Sequence, residues 1–297
     1  MATTFPIPPS VRPLPEVPGV THRYVDAGGL RMHVAEAGAG EPVLLVHGWP
    51  QHWYLWRKVM PALATRYRVI APDLRGLGWT EAPRDGYEKE QLASDLLALL
   101  DALQLPRVKL IGHDWGGWAG FLMCLRAPQR IEKFIALNIP HPFQRMSPGL
   151  LAASWRFWYQ WVLATPGLGA WLMRRGFVGQ VLRRSLANRK SMSAAEIAEF
   201  DRACREPGPV HATTQIYRSF TLREVLQVSR GRYRGQRLRV PTRLLFGVAD
   251  VAIDRRMLDG AQAHSDDFAV ELVEGCGHFI VDEKPERVVE RALQWFG

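Results

Sequence analysis

The sequence is poor in cysteine. Cys124, Cys204 and Cys276 are the only three among 297 residues, which is too few for a disulfide framework, and none of them stands in a Cys-x-x-Cys or other metal-ligand spacing. Proteins of reducing compartments have this composition. We therefore expect a cytoplasmic protein with neither disulfides nor a bound metal.

Segments for export or membrane insertion are also missing. The first twenty residues have no basic stretch followed by an apolar run, and six prolines within the first 18 positions favour an extended arm, so we expect no secretory signal. The most apolar segment, residues 150–173, carries one formal charge, at Arg156. Gln160 and the break at Pro166 leave runs shorter than the ~20 apolar residues that cross a bilayer. We predict no integral membrane segment.

Acidic residues are scarce in one part of the chain. Residues 146–239 hold 16 Lys and Arg against 5 Asp and Glu, so the whole positive excess of this basic protein lies there. No zinc-finger, RNP or GxxG pattern accompanies the charge, and we expect no nucleic-acid partner. We interpret the charge as a solvated helical face, and contact with an acidic partner or an anionic membrane surface is the alternative.

The rest of the chain alternates strand-like and helix-like segments. Short apolar runs at residues 43–48, 67–73, 107–114 and 133–138 predict parallel strands. A hairpin joined at Ala27-Gly28-Gly29 precedes them, and two more strands and a final helix from Pro285 follow residue 240. This order predicts an α/β protein with a mostly parallel sheet and helices on both faces. Its core domain would comprise residues 1–145 and 240–297, and residues 146–239 would form an inserted helical cap.

The most informative motif is Gly112-His113-Asp114-Trp115-Gly116. It lies where an apolar strand ends and a helix begins, in the small-x-nucleophile-x-small pattern of a nucleophile elbow, with aspartate where hydrolases usually carry serine. The sharp turn requires glycine on both sides and directs the central side chain away from the sheet. An aspartate that only caps the helix is the alternative interpretation.

Three further segments lie at strand ends. His47-Gly48-Trp49-Pro50 follows the first parallel strand, Asp250 follows the strand that begins at Thr242, and His278 stands in a glycine-flanked loop before the last helix. Nucleophile, acid and histidine thus occur in the chain order of α/β-hydrolases, and the carboxyl ends of the strands would bring them together. Asp254 is a second acid nearby, but its position suits the cap of a helix that begins close after it.

These motifs make the whole chain resemble the α/β-hydrolase-fold epoxide hydrolases. The segments HGWP, GHDWGG, LNIPHP and FGVAD…GCGHF are similar to that family, and residues 146–239 correspond to its cap. Enzymes of this family hold and protonate the epoxide oxygen with two cap tyrosines. The match of the segments YQWVLATPG and IYRSF implies that these tyrosines are Tyr159 and Tyr217.

The resemblance implies a reaction in two steps that yields a vicinal diol. Asp114 attacks saturated carbon, as a carboxylate can at neutral pH, while a cap tyrosine protonates the opening oxygen. His278, oriented by Asp250, then activates the water that hydrolyses the ester, and the backbone N–H groups of Trp49 and Trp115 bind the oxyanion.

The sequence also indicates the kind of ligand. Trp115, Pro50 and Trp155 are the candidate pocket residues, and the many tryptophans of the cap suggest an apolar or aromatic epoxide. We expect no cofactor, because side chains supply both the nucleophile and the base, and a homodimer is compatible with the sequence. Most of the cap tryptophans are interpreted as core residues at helical spacing; these are Trp155, Trp158, Trp161 and Trp171.

Two other functions stay open. A haloalkane or haloacid dehalogenase uses the same Asp-His-acid machinery, and Trp115 suits a leaving halide as well as an epoxide. Trp49 argues against it, since haloalkane dehalogenases commonly have asparagine there. A non-catalytic hydrolase-fold binding protein is the second alternative, although such proteins usually lose a member of the triad and none is missing here. A serine esterase is excluded, because no GxSxG occurs.

Overall fold

The computed structural model describes residues 6–144 and 154–297. The predicted boundary between core and cap, at residues 145 and 146, lies outside these ranges, and the domain limits therefore stay a prediction. Within the described ranges, no helix is both long and apolar enough to cross a membrane.

Eight strands of the described chain form one sheet. They are β1 (Thr21–Ala27), β2 (Leu30–Ala37), β3 (Glu41–Val46), β4 (Tyr67–Pro72), β5 (Val108–His113), β6 (Ile131–Leu137), β7 (Thr242–Gly247) and β8 (Phe268–Val273). Their order in the sheet is β1-β2-β4-β3-β5-β6-β7-β8. β1 and β2 form the predicted hairpin, which turns at Gly28 and Gly29, both with positive φ. β2 runs antiparallel to β4, and the remaining neighbours are parallel, so the predicted mostly parallel sheet is confirmed.

Helices cover both faces of this sheet. The α-helices are α1 (Met60–Leu63), α2 (Lys89–Ala102), α3 (Trp115–Arg126), α4 (Trp158–Ala164), α5 (Leu168–Arg174), α6 (Phe177–Ser185), α7 (Ala194–Ala203), α8 (Pro207–Ser219), α9 (Val225–Ser229), α10 (Ile280–Glu283) and α11 (Pro285–Phe296). A π-helical turn spans Phe220–Glu224, and 3-10 turns span Trp53–Lys58, Pro128–Arg130, Ser154–Phe157, Arg255–Leu258 and Ala261–His264. Alternate side chains of β3 enter two buried clusters, one shared with α2 and α3 and the other with α1 and α11.

The turn Ser154–Phe157 and the helices α4 to α9 stand between β6 and β7, and we call them the helical insertion. All of them fall inside the predicted cap limits. Leu163 and Ile216 of the insertion belong to the same buried cluster as Trp49 and Trp115 of the sheet edge. The insertion is therefore packed onto the carboxyl ends of the strands, where the candidate site residues lie.

The prediction that most of the insertion's tryptophans are core residues is wrong. Trp155, Trp158, Trp161 and Trp171 are 69%, 55%, 55% and 52% exposed. The inward side of α4 is occupied by smaller residues, Gln160, Leu163 and Ala164. Trp158 and Trp161 lie on another face of α4 and point to solvent.

Candidate active site

Asp114 lies in the turn between β5 and α3 with the strained backbone angles φ 51° and ψ −124°. A Cβ on Gly112 would lie 2.6 Å from the Gly116 carbonyl oxygen, and one on Gly116 would lie 2.3 Å from that of Val46. Only glycine fits on either side of the turn. The Asp114 side chain makes no capping hydrogen bond to α3, so the interpretation as a simple helix cap is wrong.

The loop after β3 holds the Asp114 carboxylate. The backbone N–H of Trp49 donates a hydrogen bond to Asp114 Oδ1 at 2.9 Å. A Cβ on Gly48 would lie 2.3 Å from the same oxygen and 2.7 Å from the Trp115 nitrogen. The carboxylate therefore occupies space that only glycine at position 48 leaves open, and the Trp115 N–H, the other predicted oxyanion donor, borders that space.

His278 stands between the two predicted acids. Its Nε2 is 3.6 Å from Asp114 Oδ2, and its Nδ1 is 2.8 Å from Asp250 Oδ2. The other oxygen of Asp250 accepts hydrogen bonds from the backbone N–H groups of Ala252 and Ile253 at 2.7 and 3.0 Å. Asp254 caps the turn Arg255–Leu258 instead. The structure thus brings together Asp114, His278 and Asp250.

The electrostatics of the three groups are coupled. Burial opposes the charge of Asp250, but His278 and Asn138 keep the pKa of this carboxyl below its ordinary value. Burial likewise opposes protonation of His278, but the negative charges of Asp250 and Asp114 outweigh it and raise the pKa of the imidazole to about 10. Between these two carboxylates, His278 is therefore an imidazolium at neutral pH.

The two predicted tyrosines of the insertion meet above the elbow. The rings of Tyr159 and Tyr217 are 5.9 Å apart, and they lie 6.3 and 5.4 Å from the Trp49 ring. The Tyr217 ring is 6.0 Å from that of Trp115. Burial and the charge of Asp114 raise the pKa of Tyr159, and burial raises that of Tyr217, so both phenols hold their protons.

The predicted pocket residues Pro50, Trp115 and Trp155 differ in burial. Pro50 is buried, and its carbonyl oxygen accepts a hydrogen bond from Cys204 Sγ of the insertion. Trp115 is buried, and its indole Nε1 makes no hydrogen bond of ordinary geometry with a described residue. Trp155, in contrast, is among the exposed tryptophans and does not join the buried group.

Two residues outside the predicted catalytic set support the acid and the histidine. Asn138, directly after β6, donates hydrogen bonds to Asp250 Oδ2 at 2.8 Å and to the Gly277 carbonyl oxygen at 3.1 Å. His113 Nε2 donates to the carbonyl oxygen of His278 at 2.8 Å. Asn138 lies in the LNIPHP segment at a strand end, and this position was the available signal.

A buried lysine ties the insertion to the core. The Lys89 ammonium donates to the Ile216 carbonyl oxygen, Ser219 Oγ and Glu224 Oε2 at 2.7, 3.0 and 2.8 Å. It also lies 4.9 Å from the centre of the Trp115 ring. Since Ile216 directly precedes Tyr217, these bonds help to hold that tyrosine in place. In the sequence, a lysine at the start of a helix looks like an ordinary surface residue.

The described residues contain no group of three or more His, Cys, Asp or Glu side chains arranged to hold a metal ion. The site contains carboxylate, imidazole and phenol groups. Together they can supply a nucleophile, a base and proton donors.

The chain is similar to known proteins over most of its length. A family model described as alpha/beta hydrolase fold matches residues 41–285. The chain is similar to the soluble epoxide hydrolase of Corynebacterium sp. (strain C12), with 33% identity over 292 residues that cover 93% of this chain and 97% of that protein. Epoxide hydrolase 4 of Homo sapiens is 40% identical over 152 residues, 47% of this chain and 42% of that protein.

Solved structures of epoxide hydrolases are similar to this chain as well. The structure of the epoxide hydrolase CorEH without ligand superposes with a TM-score of 0.82 and 31% identity, covering 93% of this chain and 98% of that one. The epoxide hydrolase VrEH1 from Vigna radiata superposes with a TM-score of 0.80 and 28% identity, covering 95% of this chain and 99% of that one.

Proposed function

The chain belongs to the α/β-hydrolase-fold epoxide hydrolase family and is a hydrolase, and from this premise we propose that it converts an epoxide to a vicinal diol through an ester on Asp114. The observation that carries the mechanism is the contact of His278 with both Asp114 and Asp250, at 3.6 and 2.8 Å. The helical insertion acts as the cap that supplies the phenols. The surrounding aromatic rings suit an apolar or aromatic epoxide.

In the first step the Asp114 carboxylate attacks an epoxide carbon. A C–O bond forms to the carboxylate while the C–O bond of the ring breaks, and the ring oxygen takes a proton from Tyr159 or Tyr217. Because both phenols hold their protons tightly in the free site, they donate only as negative charge develops on the oxygen. The Trp49 N–H keeps the carboxylate oriented for attack.

In the second step the His278 imidazolium first loses its proton, and one proton returns to the phenolate that the first step left, which restores the phenol. The neutral imidazole then takes a proton from water, and the resulting hydroxide attacks the carbonyl carbon of the Asp114 ester. Ester formation has removed the negative charge of Asp114, one of the two charges that raise the pKa of His278. The imidazole therefore loses its proton more easily after the first step than before it. The N–H groups of Trp49 and Trp115 stabilise the oxyanion. When the acyl C–O bond breaks, the departing alkoxide takes the proton of the added hydroxide group, so the diol leaves, Asp114 is regenerated as a carboxylate, and His278 keeps the proton from water.

One observation favours dehalogenation as a second candidate. Trp115 directly follows Asp114 in the chain, and its Nε1–H is buried without a hydrogen bond of ordinary geometry to a described residue. Such a donor could bind a departing halide. Tyr159 and Tyr217 favour the epoxide, since a halide leaves without a proton. Diol formation and halide release measured on matched apolar substrates separate the two reactions.

Covalent trapping tests the mechanism itself. His278→Gln removes the base for the second step but leaves Asp114 and the phenols in place, so an epoxide is expected to add its mass to the peptide that contains Asp114. The wild-type chain, which hydrolyses the ester, is the control. If a broad epoxide panel left no adduct on the variant and gave no diol with the wild type, a non-catalytic binding protein would be the better interpretation.

A further inference from the structure

The helical insertion begins with a stretch that has no acidic residue. The sequence contains neither Asp nor Glu between Glu132 and Glu196. Within residues 155–190, which we call the basic tryptophan surface, there are seven cationic residues. They are Arg156, Arg174, Arg175, Arg183, Arg184, Arg189 and Lys190. Except for Arg156, which is half-buried, all of them are exposed.

The same surface exposes large apolar side chains. Its four tryptophans are 52–69% exposed, and Leu168, at the start of α5, is 44% exposed. Trp158 and Trp161 are three positions apart on α4 and so share a face of that helix, and Trp171 lies on α5, which packs against α4. Exposed indoles on two helices that pack against each other are large apolar side chains of the kind that marks an interaction site.

Most of the seven cationic side chains form no ion pair within the described part of the chain. Arg174, Arg184, Arg189 and Lys190 form no ion pair with any residue of ranges 6–144 and 154–297. The Arg175 guanidinium lies 5.2 Å from the centre of the Trp171 ring, so charge and indole share one site. Positive charge without internal partners is complementary to an anionic surface.

We propose that the basic tryptophan surface binds the headgroup region of an anionic lipid bilayer. Indole rings partition to the boundary between headgroups and acyl chains, and Arg and Lys beside them attract anionic lipids. Trp158 and Trp161 point outward from α4, whereas Tyr159 of the same helix contacts Trp49 inside the site. The surface can therefore dock without displacing the site residues.

The charges argue against a second copy of the chain as the occupant. A symmetric dimer across this surface would place the same seven cations opposite one another, with no acidic residue in the surface to pair with them. A single-stranded nucleic acid would satisfy the cations and stack on indoles, but it gives no role to exposed Leu168. Both are outcomes that the experiment detects.

The test is co-sedimentation of the full chain with lipid vesicles. We expect binding to vesicles of phosphatidylcholine mixed equally with phosphatidylglycerol, little binding to phosphatidylcholine alone, and weakening as salt is added. Arg174→Gln with Arg184→Gln should weaken binding by about fivefold for each charge removed. Trp161→Ser with Trp171→Ser should weaken it by about tenfold or more while hydrolysis of a water-soluble epoxide is retained.

A matched control removes two charges elsewhere. Arg66 and Arg107 are exposed and directly precede β4 and β5. They lie at the amino ends of these strands, whereas the insertion packs onto the carboxyl ends. Arg66→Gln with Arg107→Gln should leave vesicle binding unchanged. Equal binding to both vesicle types, or equal weakening by both arginine pairs, would overturn the proposal. So would a solution dimer abolished by the tryptophan variants, or tighter binding to a single-stranded oligonucleotide than to anionic vesicles.

Discussion

The backbone N–H of Trp49 donates a hydrogen bond to the carboxylate of Asp114 at 2.9 Å, although the two residues are 65 positions apart. This bond joins the loop after β3 to the turn after β5, two strands that lie side by side in the sheet. It gives the nucleophile a fixed orientation before substrate arrives. In the proposed mechanism, the same donor faces the ester carbonyl that water attacks in the second step.

Gly48 keeps open the space for this contact. Gly48→Ala would place a Cβ 2.3 Å from Asp114 Oδ1, so we expect the carboxylate to move and ester formation to slow by about 100-fold. Gly235→Ala is the control, because a Cβ there meets no atom within 4 Å. Single-turnover ester formation measures the effect, and circular dichroism verifies folding. Equal rates for both variants would mean that the Gly48 contact does not position Asp114.

Two neighbouring aspartates separate the roles of acid and helix cap. Asp250 accepts from His278, whereas Asp254 accepts from the backbone N–H of Arg256. Asp250→Asn should slow hydrolysis of the ester by about 100-fold or more, because the imidazole loses the anion that stabilises its protonated form. Asp254→Asn should leave that rate nearly unchanged. The reverse order of effects would assign the orienting acid to Asp254.

In the proposed mechanism, the phenols donate protons in the first step only. Tyr217→Phe or Tyr159→Phe should each slow ester formation by about tenfold or more and leave ester hydrolysis nearly unchanged, because a proton donor is needed only when the epoxide opens. Tyr233→Phe is the matched control, since this buried tyrosine donates to Glu90 and contacts neither site tyrosine among the described contacts. Unchanged ester formation in either site variant would remove that phenol from the mechanism.

The pH dependence of the two steps should differ. The charges of Asp250 and Asp114 raise the pKa of His278 to about 10, and ester formation removes the Asp114 charge, so the pKa of His278 in the ester lies below that value. Water activation needs the neutral imidazole, and decay of the ester should therefore accelerate as pH rises through the lowered pKa. Ester formation should lack this rise. Rapid-quench measurements over a pH series test both steps, and ester decay that slows with rising pH would contradict the account.

The nucleophile elbow and the set of Asp114, His278 and Asp250 could be predicted from local features of the sequence. Asp114 is flanked by glycines that a tight turn needs, and Asp250 and His278 follow apolar strand segments, so each position is marked by its own neighbours. The mostly parallel sheet followed from the same strand pattern. These signals do not depend on which distant residues come into contact.

Contacts between residues far apart in the sequence could not be predicted from it. Asn138 and Asp250, which share a hydrogen bond, are 112 positions apart, and Lys89 meets Glu224 over 135 positions. The exposed tryptophans were placed wrongly for a related reason. Helical spacing indicates that Trp158 and Trp161 share a face, but only the packing of Leu163 decides which face is buried.

The central claim is that Asp114 bonds to the substrate and is later freed by water. A single turnover with excess enzyme in heavy-oxygen water tests it, because water that attacks the ester carbonyl leaves its oxygen in the enzyme. The account predicts heavy oxygen in the Asp114 carboxyl after one turnover and none in the first diol released. Label in the first diol, with an unlabelled Asp114, would show direct attack of water on the epoxide and contradict the account.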